Sequence, residues 1–282
     1  MTDKYAVIGN PIAHSKSPLI HTLFAEQTGQ DISYEKIEAP LDGFAATVER
    51  LRAEGYKGCN VTVPFKFEAF KLATKHSERA DLAEAVNTLM MGGKTIEGDN
   101  TDGAGLVRDI EHNLGIPLQG KHILLVGAGG AAWGVALPIL ESGAKLIVVN
   151  RTTDKALNLA NALNIFLKRK LVVAHGLEYG IPDFVPNFAA LANKQFDVVI
   201  NATSAGLSDE MPPLPPGIFA PGALAYDMMY GRETPFMKFA RKQGAQVADG
   251  LGMLVEQAAE SFFIWRGVRP DTRPVLEKLR QS

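Results

Sequence analysis

Three groups of residues have the types and spacing to do chemistry together. The first is Asn60-Val-Thr-Val-Pro-Phe-Lys66. Side chains alternate along a strand, so Asn60 and Thr62 share one face near the strand's end and Lys66 projects from the turn after Pro64. An ammonium in the first turn of a helix opposes the helix dipole by about 0.3 to 1 kcal/mol, so a purely structural position would favour an acid there. Taken alone, Lys66 reads equally as a proton-transferring amine and as a surface lysine with its stem laid along the protein. The second group is Asn87 with Asp99-Asn-Thr-Asp102. Asp102 directly before a helix reads by itself as an N-cap. Beside a lysine it would keep the amine charged and oriented, and the pair could relay a proton to an alcohol oxygen while a nicotinamide exchanges a hydride with the carbon. Ser15 and Ser17 offer hydroxyls to an anion, and Ser17 also suits the N-cap of a helix opened by Pro18.

The third group surrounds Lys121-His-Ile-Leu-Leu-Val-Gly-Ala-Gly-Gly-Ala-Ala-Trp-Gly. An apolar run breaks into glycines and then into small and apolar residues at helical spacing, the pattern of strand, tight turn and helix. Gly127 permits the turn, Gly129 lets backbone N–H groups approach a diphosphate, and Ala132 lets the helix pack close to the strand. The next apolar run, Leu146-Ile-Val-Val149, ends at Asn150-Arg-Thr152, where such folds read the adenosine ribose. No acid stands at these three positions. Arg151 offers a fork for bidentate phosphate binding, with Thr152 and Lys155 in support, so the pattern selects NADP(H) over NAD(H), with Asp154 the one neighbour arguing the other way.

The elements that must position these groups alternate between strand and helix. Strands are expected at Tyr5–Ile8, Ser33–Ile37, Gly58–Val63 and Ala85–Met90, with helices after Ser17, from Phe44, over residues 65–85 and after Asp102. Gly92-Gly93 reads as a hairpin turn. The fold class is therefore α/β with two domains: an N-terminal unit with a mostly parallel sheet, and a Rossmann-like unit beginning near residues 102–105. Further strands are expected at 196–200, 223–227 and 245–248. A final helix from about 253, apolar through Leu254, Val255, Ala258, Ala259, Phe262 and Phe263, is expected to return to the first domain. The signals between 163 and 195 are weak.

Composition excludes several classes. A net charge of -2 with scattered basic residues gives no field for nucleic acid. No apolar run approaches the ~18 residues that would cross a bilayer, so no membrane partner is expected. The single cysteine, Cys59, cannot form an internal disulfide, the N-terminus lacks a signal-like apolar core, and a reducing cytoplasm fits. The six histidines show no paired ligand spacing, and no metal is expected.

Taken together, Asn10-Pro-Ile-Ala-His-Ser-Lys-Ser-Pro18, Asn60–Lys66, Ala85-Val-Asn-Thr88, Gly98-Asp-Asn-Thr-Asp-Gly103, Gly127–Ala131, Asn150-Arg-Thr152, Asn201-Ala-Thr-Ser204, Tyr226-Asp-Met228 with Tyr230, and Asp249-Gly-Leu-Gly-Met253 resemble the shikimate dehydrogenases. The motifs stand in that family's order over nearly the whole chain. The resemblance implies reversible NADPH-dependent reduction of 3-dehydroshikimate to shikimate, on the route to chorismate and the aromatic amino acids. It implies that residues 1–104, completed by helices within 253–282, bind substrate, and that 105–252 bind NADP. Lys66 and Asp102 match the family's catalytic pair, with Lys66 the proton donor to the C3 oxygen. Ser15 and Ser17 match hydroxyls that hold the substrate carboxylate. Thr62, Asn87 and Gln257 match ligands of the ring hydroxyls, and Tyr230 lies near the carboxylate. Gly127, Ala128, Gly129, Gly130 and Ala131 match the phosphate turn, and Asn150, Arg151, Thr152 and Lys155 the 2'-phosphate pocket. Thr203, Met228, Gly250 and Met253 match the nicotinamide half. Two departures stand out: Trp133 replaces an arginine common in the family, and the segment 163–195 is longer than usual. Quinate/shikimate dehydrogenases that accept NAD tend to carry an acid at the ribose, unlike Asn150-Arg151. A non-catalytic NADP sensor would have no use for Lys66 and Asp102. The partner expected is a small-molecule substrate; the sequence does not fix the oligomeric state, a homodimer being one assembly it allows.

Overall fold

The computed structural model describes residues 2–173 and 183–281, the backbone alone at 169–173, 206 and 207. Part of the expectation attached to 163–195 falls on 174–182, outside the described residues. The chain divides into two compact units, Met1–Gly105 with Leu254–Ser282, and Leu106–Met253.

In the first unit β1 (Asp3–Gly9), α1 (Ser17–Thr28), β2 (Ile32–Glu38), α2 (Phe44–Ala53) and β3 (Tyr56–Val61) alternate. β1 lies between β2 and β3 and pairs with both in parallel. That central place explains why Tyr5-Ala-Val-Ile8 is a continuous apolar run, buried along its whole length. α1 corrects one expectation. It starts at Ser17 itself, Lys16 is the N-cap, and no side chain caps it. Ser15 reaches inward instead, its Oγ accepting the Ser17 N–H at 3.3 Å.

The helical pattern read over 65–85 is also broken. α3 (Lys66–Leu72) ends at an extended Ala73, β4 (Lys75–His76) intervenes, and α4 (Glu78–Ala83) starts afresh with the Ser77 side chain accepting from Ala80 N–H. The interruption lets Lys75-His76 pair in parallel with β6 (Glu97–Asp99), the outgoing arm of a hairpin whose first arm is β5 (Thr88–Met90). β3, β5 and β6 pair antiparallel, so three of the five strand pairings in this sheet run parallel. Its order is β2-β1-β3-β5-β6-β4. One apolar core cluster gathers Ile8, Phe44, Leu51, Val61, Phe65, Val86 and Leu89.

α5 (Asp102–Arg108) runs into a π-helical turn, Asp109–Asn113, where a single regular helix was expected. The wider turn still carries Leu106 and Ile110 inward and also buries the Asp109 carboxylate, which accepts from Tyr226 Oη at 2.6 Å.

The second unit contains β7 (His122–Val126), α6 (Gly130–Glu141), β8 (Lys145–Val149), α7 (Thr153–Val173), β9 (Asp183–Phe184), β10 (Phe196–Asn201), β11 (Phe219–Asp227), α8 (Pro235–Lys242) and β12 (Gln246–Asp249). The sheet order is β12-β11-β10-β7-β8-β9, and every pairing is parallel. Counted from β7, that is the doubly wound dinucleotide order, in which the direction of winding reverses between β7 and β10. Ile123, Leu124, Leu125 and Val126 are wholly buried, as a central parallel strand requires.

The C-terminal segment is two helices, α9 (Leu251–Arg266) and α10 (Arg273–Arg280), and from Leu254 onward it belongs to the first unit. Trp265 stacks on Tyr5 with centroids 4.7 Å apart, and its indole N–H donates to Leu89 O at 3.1 Å. Gly58 makes room for this ring: a Cβ there would stand 2.5 Å from Trp265 Nε1. Among the described residues no helix is long and apolar enough to cross a membrane.

Candidate active site

Lys66 is the first residue of α3, and the turn before it is pinned by Phe65, wholly buried and stacked on Phe44 at 5.0 Å. With that ring inside, the neighbouring Val63 and Phe67 face outward and the lysine leaves the core edge-on. Its Nζ lies 2.5 Å from Asp102 Oδ2, and the two side chains are 29% and 13% exposed. The ion pair is thus reachable by a small molecule yet largely out of bulk water, where a charge-assisted contact is strongest.

Asp102 opens α5, and its other oxygen, Oδ1, accepts from Asn87 Nδ2 at 2.7 Å. The direction of that amide is fixed by its far end. Asn87 Oδ1 accepts from the backbone N–H of Thr101 at 2.9 Å and from Thr88 Oγ1 at 2.8 Å. A backbone N–H can only donate, so the Nδ2 must face Asp102. Gln257, on α9, adds its Oε1 as a 3.3 Å acceptor for both Asn87 Nδ2 and Thr101 Oγ1. The structure thus brings Lys66, Asn87, Asp102 and Gln257 together from four separate segments of the first unit.

Among the described residues, the hydrogen bonds of that group do not include Thr62, Ser15 or Ser17. Thr62 is one residue past β3, its methyl against Gly9, where an added Cβ would stand 2.6 Å from it. Ser15 and Ser17 sit at the start of α1, with Ser17 buried and its hydroxyl not used as a cap. Tyr230 belongs to the second unit, in the loop after β11, 36% exposed.

Asp99 shares a motif with Asp102 but serves a different purpose. It is gripped by Arg79 through Nε at 2.7 Å and Nη2 at 2.8 Å, and by Ser77. Burial alone would raise its pKa, but the hydrogen bonds and charge of Arg79 outweigh it and hold the carboxyl below its usual value. Arg79 also reaches Glu260 on α9 at 3.1 Å, and Glu260 pairs with Arg269.

Several residues around Asn60 carry no sequence signal. Asn60 is 6% exposed; its Oδ1 accepts from Tyr34 Oη at 2.7 Å and its Nδ2 donates to Asn87 O at 3.1 Å. Tyr34 stacks face to face on His21 at 4.1 Å. Burial drives the His21 ring down to about pKa 3, so it is neutral at physiological pH. Ser261, wholly buried on α9, accepts from Asn60 Nδ2 at 2.9 Å. Alternation placed Asn60 in view, but its partners become visible only when strands and the C-terminal helix meet.

In the second unit the phosphate turn sits at the reversal point of the sheet. Gly127 follows β7 with φ +114°, and a Cβ on it would stand 3.2 Å from the Ala202 carbonyl carbon that follows β10. Both demands select glycine. Gly129, the N-cap of α6, carries no side-chain cap, and nothing lies within 4 Å of the place its Cβ would occupy. Gly129, Gly130 and Ala131 are exposed, which leaves the first turn of the helix open to a diphosphate. At the end of β8, Asn150 Nδ2 donates to Thr152 O at 3.0 Å, while Arg151, Thr152 and Lys155 are exposed. Among the described residues no side chain pairs with the Arg151 guanidinium. This donor set fits a 2'-phosphorylated dinucleotide. Thr203 follows β10, its hydroxyl donating to Asn201 Oδ1 at 2.8 Å. Met228 follows β11, its N–H donating to Asn201 O at 3.1 Å, and Gly250 N–H donates to Met229 O at 2.9 Å. A side chain on Gly250 would overlap the Met228 carbonyl. Met253, in the first turn of α9, gives its N–H to Tyr226 Oη at 3.3 Å. Trp133 lies in the first turn of α6, half-buried. No group of His, Cys, Asp and Glu among the described residues could hold a metal ion.

The shikimate dehydrogenase substrate binding domain matches residues 7–89, the shikimate / quinate 5-dehydrogenase model residues 109–175, and the shikimate 5'-dehydrogenase C-terminal domain residues 250–280. A shikimate dehydrogenase (NADP(+)) from Methylobacillus flagellatus is 59% identical over 99% of this chain and 100% of its own length. The crystal structure of an Ael1 enzyme from Pseudomonas putida is similar with a TM-score of 0.89 and 49% identity, covering 99% of this chain and 98% of that one. The crystal structure of shikimate 5-dehydrogenase from Thermus thermophilus in complex with NADP(H) and shikimate gives a TM-score of 0.84 at 32% identity, covering 99% of each chain.

Proposed function

The chain belongs to the shikimate dehydrogenase family, and from that premise we propose that it catalyses the reversible NADPH-dependent reduction of 3-dehydroshikimate to shikimate. The observation that carries the reading is the Lys66 to Asp102 contact at 2.5 Å, with Asn87 fixing the other carboxylate oxygen. When bound, NADPH supplies a hydride to the carbonyl carbon. The Lys66 ammonium gives a proton to the carbonyl oxygen as that oxygen gains charge, which completes the alcohol; in oxidation the amine takes the proton back. Asp102 keeps the lysine directed at that oxygen, and Asn87 keeps Asp102 from turning away.

In this reading the first unit binds substrate. Ser15 and Ser17 hold the carboxylate with hydroxyls, Thr62, Asn87 and Gln257 hold the ring hydroxyls, and the family resemblance assigns Tyr230 to the carboxylate. The second unit binds NADP: Gly127–Ala131 cradle the diphosphate, Asn150, Arg151, Thr152 and Lys155 the 2'-phosphate, and Thr203, Met228, Gly250 and Met253 line the nicotinamide half. The exposed Arg151 and the lack of an acid at 150–152 support NADP over NAD. Cys59, buried and free, supports placing the reaction in the reducing cytoplasm.

The test is NADP-linked oxidation of shikimate by the purified protein, followed at the nicotinamide absorbance, with NAD and quinate offered in parallel. Turnover with NADP and shikimate, and much weaker use of NAD, is expected. Equal use of NAD would reject the cofactor assignment, and absence of shikimate turnover would reject the activity.

A further inference from the structure

We propose that Ser261 is a positioning residue for this reaction: its hydroxyl orders Asn60, Thr88 and Thr101, and through them holds the Asn87 amide in the direction that serves substrate and Asp102. The inference rests on the functional reading above. On α9, residues four apart share a face, so Gln257, Ser261 and Trp265 form one stripe. Each points a polar atom at the sheet or the loop beyond it: Gln257 Oε1 at Asn87 and Thr101, Ser261 Oγ at Asn60 and Thr88, and Trp265 Nε1 at Leu89 O.

Ser261 is wholly buried, yet four polar atoms surround its oxygen: Asn60 Nδ2 at 2.9 Å, Thr88 Oγ1 at 2.8 Å, Thr101 Oγ1 at 3.2 Å and Gln257 O at 3.0 Å. A serine hydroxyl has one hydrogen and two acceptor sites, so at most three of these four are served at once. The choice is constrained. Asn60 Oδ1 is taken by Tyr34 Oη, so Asn60 Nδ2 must donate, and one of its two hydrogens goes to Asn87 O at 3.1 Å. The other has Ser261 Oγ at 2.9 Å as its nearer acceptor, with Thr88 Oγ1 farther at 3.2 Å. When the serine proton goes to Gln257 O, the remaining lone pair takes a threonine. Both threonines also reach Asn87 Oδ1, Thr88 at 2.8 Å and Thr101 at 3.2 Å. The Ser261 oxygen is therefore the acceptor on which the strand bearing Asn60 and the segments bearing Asn87 and Asp102 converge.

A residue needed only to fill space on this face would be apolar. Alanine here would remove the nearer acceptor of an Asn60 amide hydrogen and one acceptor of the threonine hydroxyls in a dry interior, leaving them Thr88 Oγ1 and Asn87 Oδ1, toward which they would turn. The turn would disturb the threonine hydroxyls that join the Thr101 N–H on Asn87 Oδ1, and so shift Asn87, a substrate ligand, while the direct Lys66–Asp102 contact does not involve Ser261.

The experiment measures steady-state oxidation of shikimate with NADP by the full chain, by Ser261→Ala and by Ser261→Cys, which keeps side-chain volume but hydrogen-bonds weakly. The expected result for both variants is a KM for shikimate raised about tenfold or more, with kcat lowered less than about threefold and KM for NADP unchanged. Should the alanine variant fail to fold, the cysteine variant gives the same reading. A shikimate KM within about twofold of wild type in both, or a rise in alanine that cysteine abolishes, overturns the proposal, because packing alone then explains the position. Wild-type protein that turns over no shikimate overturns the functional reading and this inference together; wild-type turnover with unmoved KM overturns this inference alone.

Discussion

Asn87 Nδ2 donates to Asp102 Oδ1 at 2.7 Å because Asn87 Oδ1 is held at its other side by the Thr101 backbone N–H at 2.9 Å. The amide is a strut between a fixed piece of backbone and the carboxylate that faces Lys66. Replacing Asn87 with alanine strands the Thr101 N–H in a buried place, at a cost of about 1–3 kcal/mol in stability. Thermal unfolding should show that loss. In protein that still folds at the assay temperature, kcat/KM for shikimate should fall further than the KM for NADP rises. Equal damage to both substrates would contradict the strut.

Arg151 offers its guanidinium with no protein partner among the described residues, as a group reserved for a ligand would. Arg151→Ala should therefore raise the KM for NADP by about tenfold or more, the worth of one or two charge-assisted hydrogen bonds, and leave the weaker use of NAD nearly unchanged. Parallel losses with both dinucleotides would assign Arg151 to the adenine ring or to the fold.

Acid stability should depend on the Arg79 cluster. Asp99 is buried and Glu260 half-buried, which by itself raises a carboxyl's pKa; for Glu260 the Arg269 hydrogen bond and the Arg79 charge outweigh it, as Arg79 does for Asp99, so both lie below their usual values of 3.8 and 4.5. A carboxylate with a depressed folded pKa stabilises the protein above its unfolded value and loses that contribution as pH falls through the folded one. The melting temperature should accordingly decline below about pH 4.5, and more steeply in wild type than in Arg79→Met. Identical slopes in the two proteins would exclude this cluster as the source.

Much of this arrangement could be read before any coordinates. The glycine turn, the Asn150-Arg151 ribose position and the motifs around Lys66 and Asp102 announce themselves because each is a local run of residues. Ser17 was misjudged as an N-cap because a serine before proline satisfies the local rule; Lys16 takes that place, and the Ser15 side chain holds the Ser17 N–H. The helix expected over 65–85 failed at Lys75-His76, where pairing with β6, a contact across 22 residues, overrode the local pattern. Ser261 was invisible because a serine within an apolar helix has no signature of its own. Its partner Asn60 lies 201 residues away in sequence, and only the return of α9 to the first unit brings them together. Asp99 and Asp102 looked alike in the sequence, and the position of Arg79 separates the structural acid from the one facing Lys66.

The proton-transfer role of Lys66 is tested most directly by measuring shikimate binding and saturated turnover separately in Lys66→Ala. Calorimetry should give a shikimate Kd within about threefold of wild type while kcat falls by about a hundredfold or more, the scale of a lost general acid. Wild-type kcat in that variant, or a loss confined to Kd, would contradict the account.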